Sequence, residues 1–123
     1  MKGKIASFTD LEVWKKGHSY VLRIYKITYK FPQEEKYGLG DQLRRAAVSI
    51  TSNISEGFYR RTSADKVYFY TCALSSLGET QNQIIIALDL YYIDQLIFQQ
   101  LWEDSMEIQR MLKGLIKSAP TKL

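Results

Sequence analysis

Few side chains in this 123-residue chain could do chemistry, and each stands nearly alone. His18 is the only histidine and Cys72 the only cysteine. A thiol becomes a nucleophile when a base or cation draws off its proton, and no second cysteine or histidine is spaced to activate Cys72. His18 falls on the apolar stripe expected for the first helix, where a packed, hydrogen-bonded imidazole is the better reading than a catalyst. Glu79 interrupts an apolar run. It is either a buried acid with a displaced pKa or one half of an inter-helix salt bridge, and the second is preferred. The Glu-x-x-His pairing of di-iron bundles is missing, and Gly38-x-Gly40 lacks the third glycine and preceding strand of a dinucleotide site. No enzyme is indicated: no catalytic residue, metal ligand or cofactor is assigned.

The cations carry more information. Arg44 and Arg45 fall mid-helix, Arg60 and Arg61 follow Phe58-Tyr59, Lys66 comes shortly after, and Lys15 and Lys16 lie in the first helix. One reading makes Lys15, Lys16, Arg44, Arg60, Arg61 and Lys66 a phosphate-contacting surface, with the aromatic neighbours of Arg60 and Arg61 stacking on bases or plugging the bundle end. For Arg45 a structural role is preferred, its planar fork pairing with Glu56 or Glu79 where helices or subunits meet. The charge is unevenly placed. Residues 1–66 hold thirteen basic and seven acidic side chains, and residues 67–123 hold four and six. Net charge is +4 and the pI about 9.1, which tilts the partner toward a polyanion without establishing one.

Positioning these groups requires a core, and the length suits one domain spanning residues 1–123. A single cysteine excludes an internal disulfide and gives no sign of an oxidising compartment. Residues 1–7 lack the apolar run of a signal peptide. The longest charge-poor stretch, 67–93, is broken by Glu79, Gln81, Asn82, Gln83 and Asp89, which argues against a membrane span. The expectation is a cytoplasmic protein.

Hydrophobic periodicity predicts four helices. The first starts at Phe8-Thr9-Asp10-Leu11-Glu12, with Thr9 as cap, Glu12 completing a capping box and Phe8 stapling onto Val13, and runs to about Lys30. Its expected core stripe is Leu11, Trp14, His18, Val21, Leu22, Tyr25 and Tyr29. The second carries Leu39, Leu43, Ala46, Ala47, Ile50 and Ile54 and closes at Gly57. Thr62 or Ser63 caps the third, with Tyr70, Ala73, Leu77, Thr80, Ile84, Leu88 and Tyr91 inward. Asp94 caps the fourth, with Phe98, Leu101, Ser105, Ile108, Leu112 and Leu115 inward, ending before Pro120. Short connections favour an all-α, antiparallel, up-down-up-down four-helix bundle.

Those stripes leave apolar residues over. The third helix also carries Tyr68, Cys72, Ile86 and Leu90 on its opposite side, and the first carries Val13, Tyr20, Ile24, Ile27 and Phe31. A helix apolar all round is normally buried all round, so both second stripes are expected to meet other copies of the chain.

The segment Tyr37-Gly38-Leu39-Gly40-Asp41-Gln42-Leu43-Arg44-Arg45-Ala46-Ala47-Val48-Ser49-Ile50, continuing to Ser55-Glu56-Gly57, resembles the hallmark of the four-helix-bundle proteins encoded in bacterial ribosomal RNA intervening sequences. Leu11-Glu12-Val13-Trp14-Lys15-Lys16, Phe31-Pro32 and Ala73-Leu74-Ser75-Ser76-Leu77-Gly78-Glu79-Thr80 support the likeness, which covers nearly the whole chain. The resemblance implies a bacterial, non-catalytic bundle. Its distant relatives include the retroelement accessory protein, a basic homopentamer that binds a reverse transcriptase and nucleic acid, so a pentamer is implied by the family alone; that relative's partner does not carry over to this chain, and the function is expected with or without a protein partner. The expected function is a homo-oligomer binding RNA or DNA through basic surfaces. The alternative is a structural or protein-binding module that binds no nucleic acid.

Overall fold

The computed structural model describes residues 4–119. Residues 1–3 of the basic amino terminus, and Pro120, expected to stop the last helix, lie outside the described residues. Four α-helices are formed: α1 Glu12–Thr28, α2 Leu39–Phe58, α3 Ser63–Asp89 and α4 Gln95–Ser118, with short 3₁₀ helices at Phe8–Asp10 and Gln33–Glu35 and no strand among the described residues. α1 packs on α2 and α4, α2 on α3, and α3 on α4, while the diagonal pairs stay apart at the backbone. The helices therefore close a ring in chain order, the up-down-up-down four-helix bundle that short connections favour. Among the described residues, no helix is long and apolar enough to cross a membrane.

The inward stripes of α2, α3 and α4 are those the periodicity predicts. Leu43, Ala47, Ile50 and Ile54 meet Ala73, Leu77 and Ile84, and Leu101, Ile108 and Leu112 close the other wall, all without solvent contact. Thr62 Oγ1 accepts from the Asp65 amide at 3.1 Å and an Asp94 carboxylate oxygen from the Ile97 amide at 2.8 Å, so both predicted caps form. Tyr91 is an exception. α3 ends at Asp89, and Tyr91 sits in the left-handed region with φ 63°, its side chain in solvent. The Tyr92 amide returns to the Ala87 carbonyl at 2.8 Å, closing the helix as a C-terminal cap in which glycine is the usual residue.

On α1 the inward face is turned toward the second stripe: of the residues expected inside, Val21 is buried and Leu11 and Trp14 pack against the core, whereas His18, Leu22, Tyr25 and Tyr29 do not. Val13, Tyr20, Ile24 and Phe31 are buried in the chain's own core, so these four cannot form an outward self-association surface, and Ile27 packs half-buried against the same core. Outward lie His18, Leu22, Tyr25 and Tyr29. Close approach explains the phase. Gly17 faces α2, where an added Cβ would stand 3.1 Å from Thr51 Cγ2 and 3.9 Å from Ile50 and Ile54 methyls. The tyrosines and histidine keep their polar tips in water. The start of α1 also differs from expectation: the capping box is Ser7 with Asp10, on the 3₁₀ turn, and α1 begins at Glu12 with Leu11 in the cap position and no side-chain cap. Two amide bonds, from Ala6 and Ser7, hold the Asp10 carboxyl below its ordinary pKa. Phe8 lies edge-on to Trp14, 5.4 Å between ring centroids.

Polar groups cross the core. Tyr20 Oη and Thr80 Oγ1 are 3.0 Å apart, linking α1 to the diagonal α3, and the Thr80 hydroxyl also lies 2.6 Å from the Leu77 carbonyl that accepts from it. Buried Ser105 accepts from Gln81 Nε2 at 3.1 Å and donates to the Trp102 carbonyl at 2.7 Å. These bonds keep buried polar groups satisfied while fixing which helices face each other.

Candidate nucleic-acid interface

The six cations expected to meet phosphate fall into two groups once their partners are placed. Lys15 pairs with Glu12 one turn back at 3.3 Å. Lys16 reaches across to α4, 3.0 Å from Glu107 and 3.5 Å from Asp104, and Arg23 holds the same Asp104 at 3.1 Å. The Lys16 bond lowers the Glu107 carboxyl below its usual pKa, and Glu107 in turn raises the Lys16 ammonium. This network clamps α1 to α4 and cancels much of its own charge. Arg60 pairs with Glu56 and lies over the Phe69 ring, 4.5 Å from its centroid.

Arg44, Arg61 and Lys66 have no carboxylate partner among the described residues. Lys66 Nζ donates to the Gly57 and Phe58 carbonyls at 3.2 and 2.7 Å, satisfying the last carbonyls of α2 at the negative end of its dipole. Arg61 is exposed in the α2–α3 corner beside Tyr59, itself exposed and edge-on to Phe8 and Phe58. That corner is the aromatic-flanked cation pair expected from the sequence, with Arg60 partly neutralised and Arg61 free of ion pairs.

Arg44 stands at the opposite end of α2. Its Nη2 donates to the Lys36 carbonyl at 3.0 Å and its guanidinium lies 6.0 Å from the Tyr25 ring centroid. Gly40 makes the room: a Cβ there would stand 3.2 Å from Arg44 Nη1 and 3.0 Å from the Glu35 carbonyl. Between the end of α1, the link that follows it and Arg44 of α2 lies a cleft of about 320 Å³, lined by Tyr25, Tyr29, Phe31, Lys36 and Arg44 among others. A shallower trough continues from Tyr25 and Arg44 along α2 past Arg45, Val48 and Ser52. Sequence reasoning missed Tyr25, Tyr29 and Lys36 because it placed both tyrosines in the core. The available signal was the clustering of tyrosine with arginine and lysine around the α1–α2 link.

The expected structural ion pairs change partners. Arg45 Nε meets Asp41 at 3.0 Å, one turn back on its own helix, because Glu56 lies three turns away on that helix, out of reach, and pairs with Arg60. Glu79 is exposed and makes no salt bridge among the described residues; its carboxylate accepts only a long bond from Gln83 Nε2 at 3.5 Å. His18 is likewise at the surface, stacked on Trp14 with 4.7 Å between centroids. Tyr68, Ile86 and Leu90 do lie outward on α3, with Cys72 half-buried on the same side and unpaired as a thiol. Among the described residues, no group of three His, Cys, Asp or Glu side chains is placed to hold a metal ion.

A family model described as 23S rRNA-intervening sequence protein matches residues 9–114. A crystal structure at 1.70 Å from Bacteroides thetaiotaomicron VPI-5482, described as a protein of unknown function from the S23 ribosomal protein family, superposes with a TM-score of 0.80 at 26% identity, covering 86% of this chain and 96% of that one. No curated protein matches the sequence.

Proposed function

We propose, from the premise that this chain belongs to the 23S rRNA-intervening sequence protein family, that it is a non-catalytic protein that assembles with copies of itself and binds RNA or DNA. The observation that carries the nucleic-acid reading is the uncancelled charge of Arg44, Arg61 and Lys66, none of which meets a carboxylate among the described residues. A cation held by backbone carbonyls or by solvent keeps its full charge for an external phosphate. Arg60 adds to the corner when phosphate competes with Glu56. The free Cys72 thiol supports a cytoplasmic setting. Tyr68, Ile86 and Leu90 supply the self-association face on α3, and a further protein partner is compatible with it.

Titration of labelled RNA and DNA at increasing salt tests this reading. Affinity falls steeply with salt, and Arg61→Ala or Arg44→Ala each lowers the slope of log affinity against log salt by about 1, for every sequence alike. Absence of binding to either polymer at low salt overturns the reading. It would leave the alternative, a structural or protein-binding module, which draws support from the cations already paired inside the fold: Lys16 with α4 and Lys15 with Glu12.

A further inference from the structure

We propose that the cleft between α1 and α2 takes a single unpaired nucleobase, making this a site for single-stranded nucleic acid. The inference rests on the nucleic-acid reading above and assigns it a place and a strand state. Three observations converge. First, Tyr25 in the last turn of α1 is 48% exposed and Tyr29, capping that helix, is 89% exposed, and both line one opening. Large aromatic faces left in water at a concave site are surfaces on which a base can stack. Second, the two charged side chains that edge this cleft are both cationic, Lys36 and Arg44, and no carboxylate lines it. The nearest acid along the trough, Asp41, is held by Arg45 at 3.0 Å. Third, Arg44 is pre-positioned by its 3.0 Å bond to the Lys36 carbonyl, so its guanidinium loses little freedom when a phosphate arrives.

Size selects the strand state. At about 320 Å³ the cleft has room for one planar heterocycle, at the small end of roughly 300–1,000 Å³ for ligand pockets. A paired base keeps both faces covered by its neighbours in the stack and cannot enter without being extruded. The trough past Arg45, Val48 and Ser52 offers the backbone a path away from the base along α2. RNA and DNA share the chemistry required, a π-face next to a phosphate, so both belong in the test.

The experiment compares a single-stranded oligonucleotide with a duplex of the same sequence, in RNA and DNA forms, by fluorescence anisotropy on the full-length protein. The single strands carry a fluorescent base analogue whose quenching reports stacking. Wild type binds single strand more tightly than duplex and quenches the analogue. Tyr29→Ala weakens single-strand binding about tenfold and abolishes the quenching, leaving duplex binding unchanged. Tyr29→Phe retains both, because the ring face and not the hydroxyl makes the contact. Tyr29 is almost fully exposed, so neither substitution disturbs the core. An unchanged single-strand preference in Tyr29→Ala and Tyr25→Leu, with Arg61→Ala still weakening binding, overturns the cleft assignment and leaves the broader reading standing. No binding by wild type overturns both.

Discussion

Tyr20 shows how one residue ties fold to conditions. Its ring is buried at the bundle centre, and burial is the main cause that pushes its phenol up to about 12 from an ordinary 10.0, against the opposing hydrogen bond with Thr80. The unfolded phenol ionises near 10, the folded one near 12. Between those values the unfolded chain has released a proton that the native chain keeps, so stability falls as pH rises through this window. The contribution is complete below pH about 10, and its loss reaches roughly 2–3 kcal/mol by pH 12. Tyr20→Phe removes this loss. At neutral pH it costs about 1 kcal/mol for the missing bond, because the Thr80 hydroxyl keeps its contact with the Leu77 carbonyl. Urea denaturation of wild type and Tyr20→Phe on both sides of pH 10 measures both effects; parallel curves across the window would refute the argument.

Element by element, the sequence is readable where one stripe is apolar and unreadable in phase where two compete. α2 and α4 carry single inward stripes, and the residues expected inside are inside. α1 offers Leu22, Tyr25 and Tyr29 against Val13, Tyr20, Ile24 and Phe31, and periodicity alone assigns equal claim to both. The deciding residue is Gly17, whose missing side chain lets α1 approach α2 on the second stripe. The candidate site inherited that ambiguity: Arg44 was visible as a cation, whereas its aromatic neighbours emerged only once α1 was turned. Glycine placement also makes a prediction. At Gly57 an added Cβ would stand 2.7 and 2.9 Å from Tyr70 ring carbons, where α2 crosses α3, and at Gly114 it would meet nothing within 4 Å. Gly57→Ala therefore destabilises by about 1–3 kcal/mol through forced repacking. Gly114→Ala, exposed and helical one turn before the end of α4, stabilises by roughly 0.5–1 kcal/mol. Opposite shifts of the thermal midpoint are the expected result, and equal shifts would contradict this packing account.

For the whole molecule, the question is how surface left apolar by a closed core fits with surface left charged. α3 lies diagonally across the bundle from α1, so a contact burying Tyr68, Ile86 and Leu90 leaves the α1 side, with Tyr25 and Tyr29, facing away from it. The second half of the chain is net acidic and the first net basic. Association through α3 thus draws together the less basic sides and spares each subunit the repulsion of its neighbour's cations. An assembly built this way displays one cleft per subunit, and a strand long enough to reach two clefts binds the second at high effective concentration. Ile86→Glu tests this arrangement. Glutamate keeps the helix and, at a surface position, leaves the core intact, but it places a desolvated charge in the contact. The expected outcome is a smaller species in sedimentation with an unchanged helical spectrum. That species retains its affinity for a short single strand and loses on the order of a hundredfold for a long one. If wild type itself sediments as a folded 14.3 kDa monomer at micromolar concentration, the α3 face is not a self-association surface and multivalence has no basis.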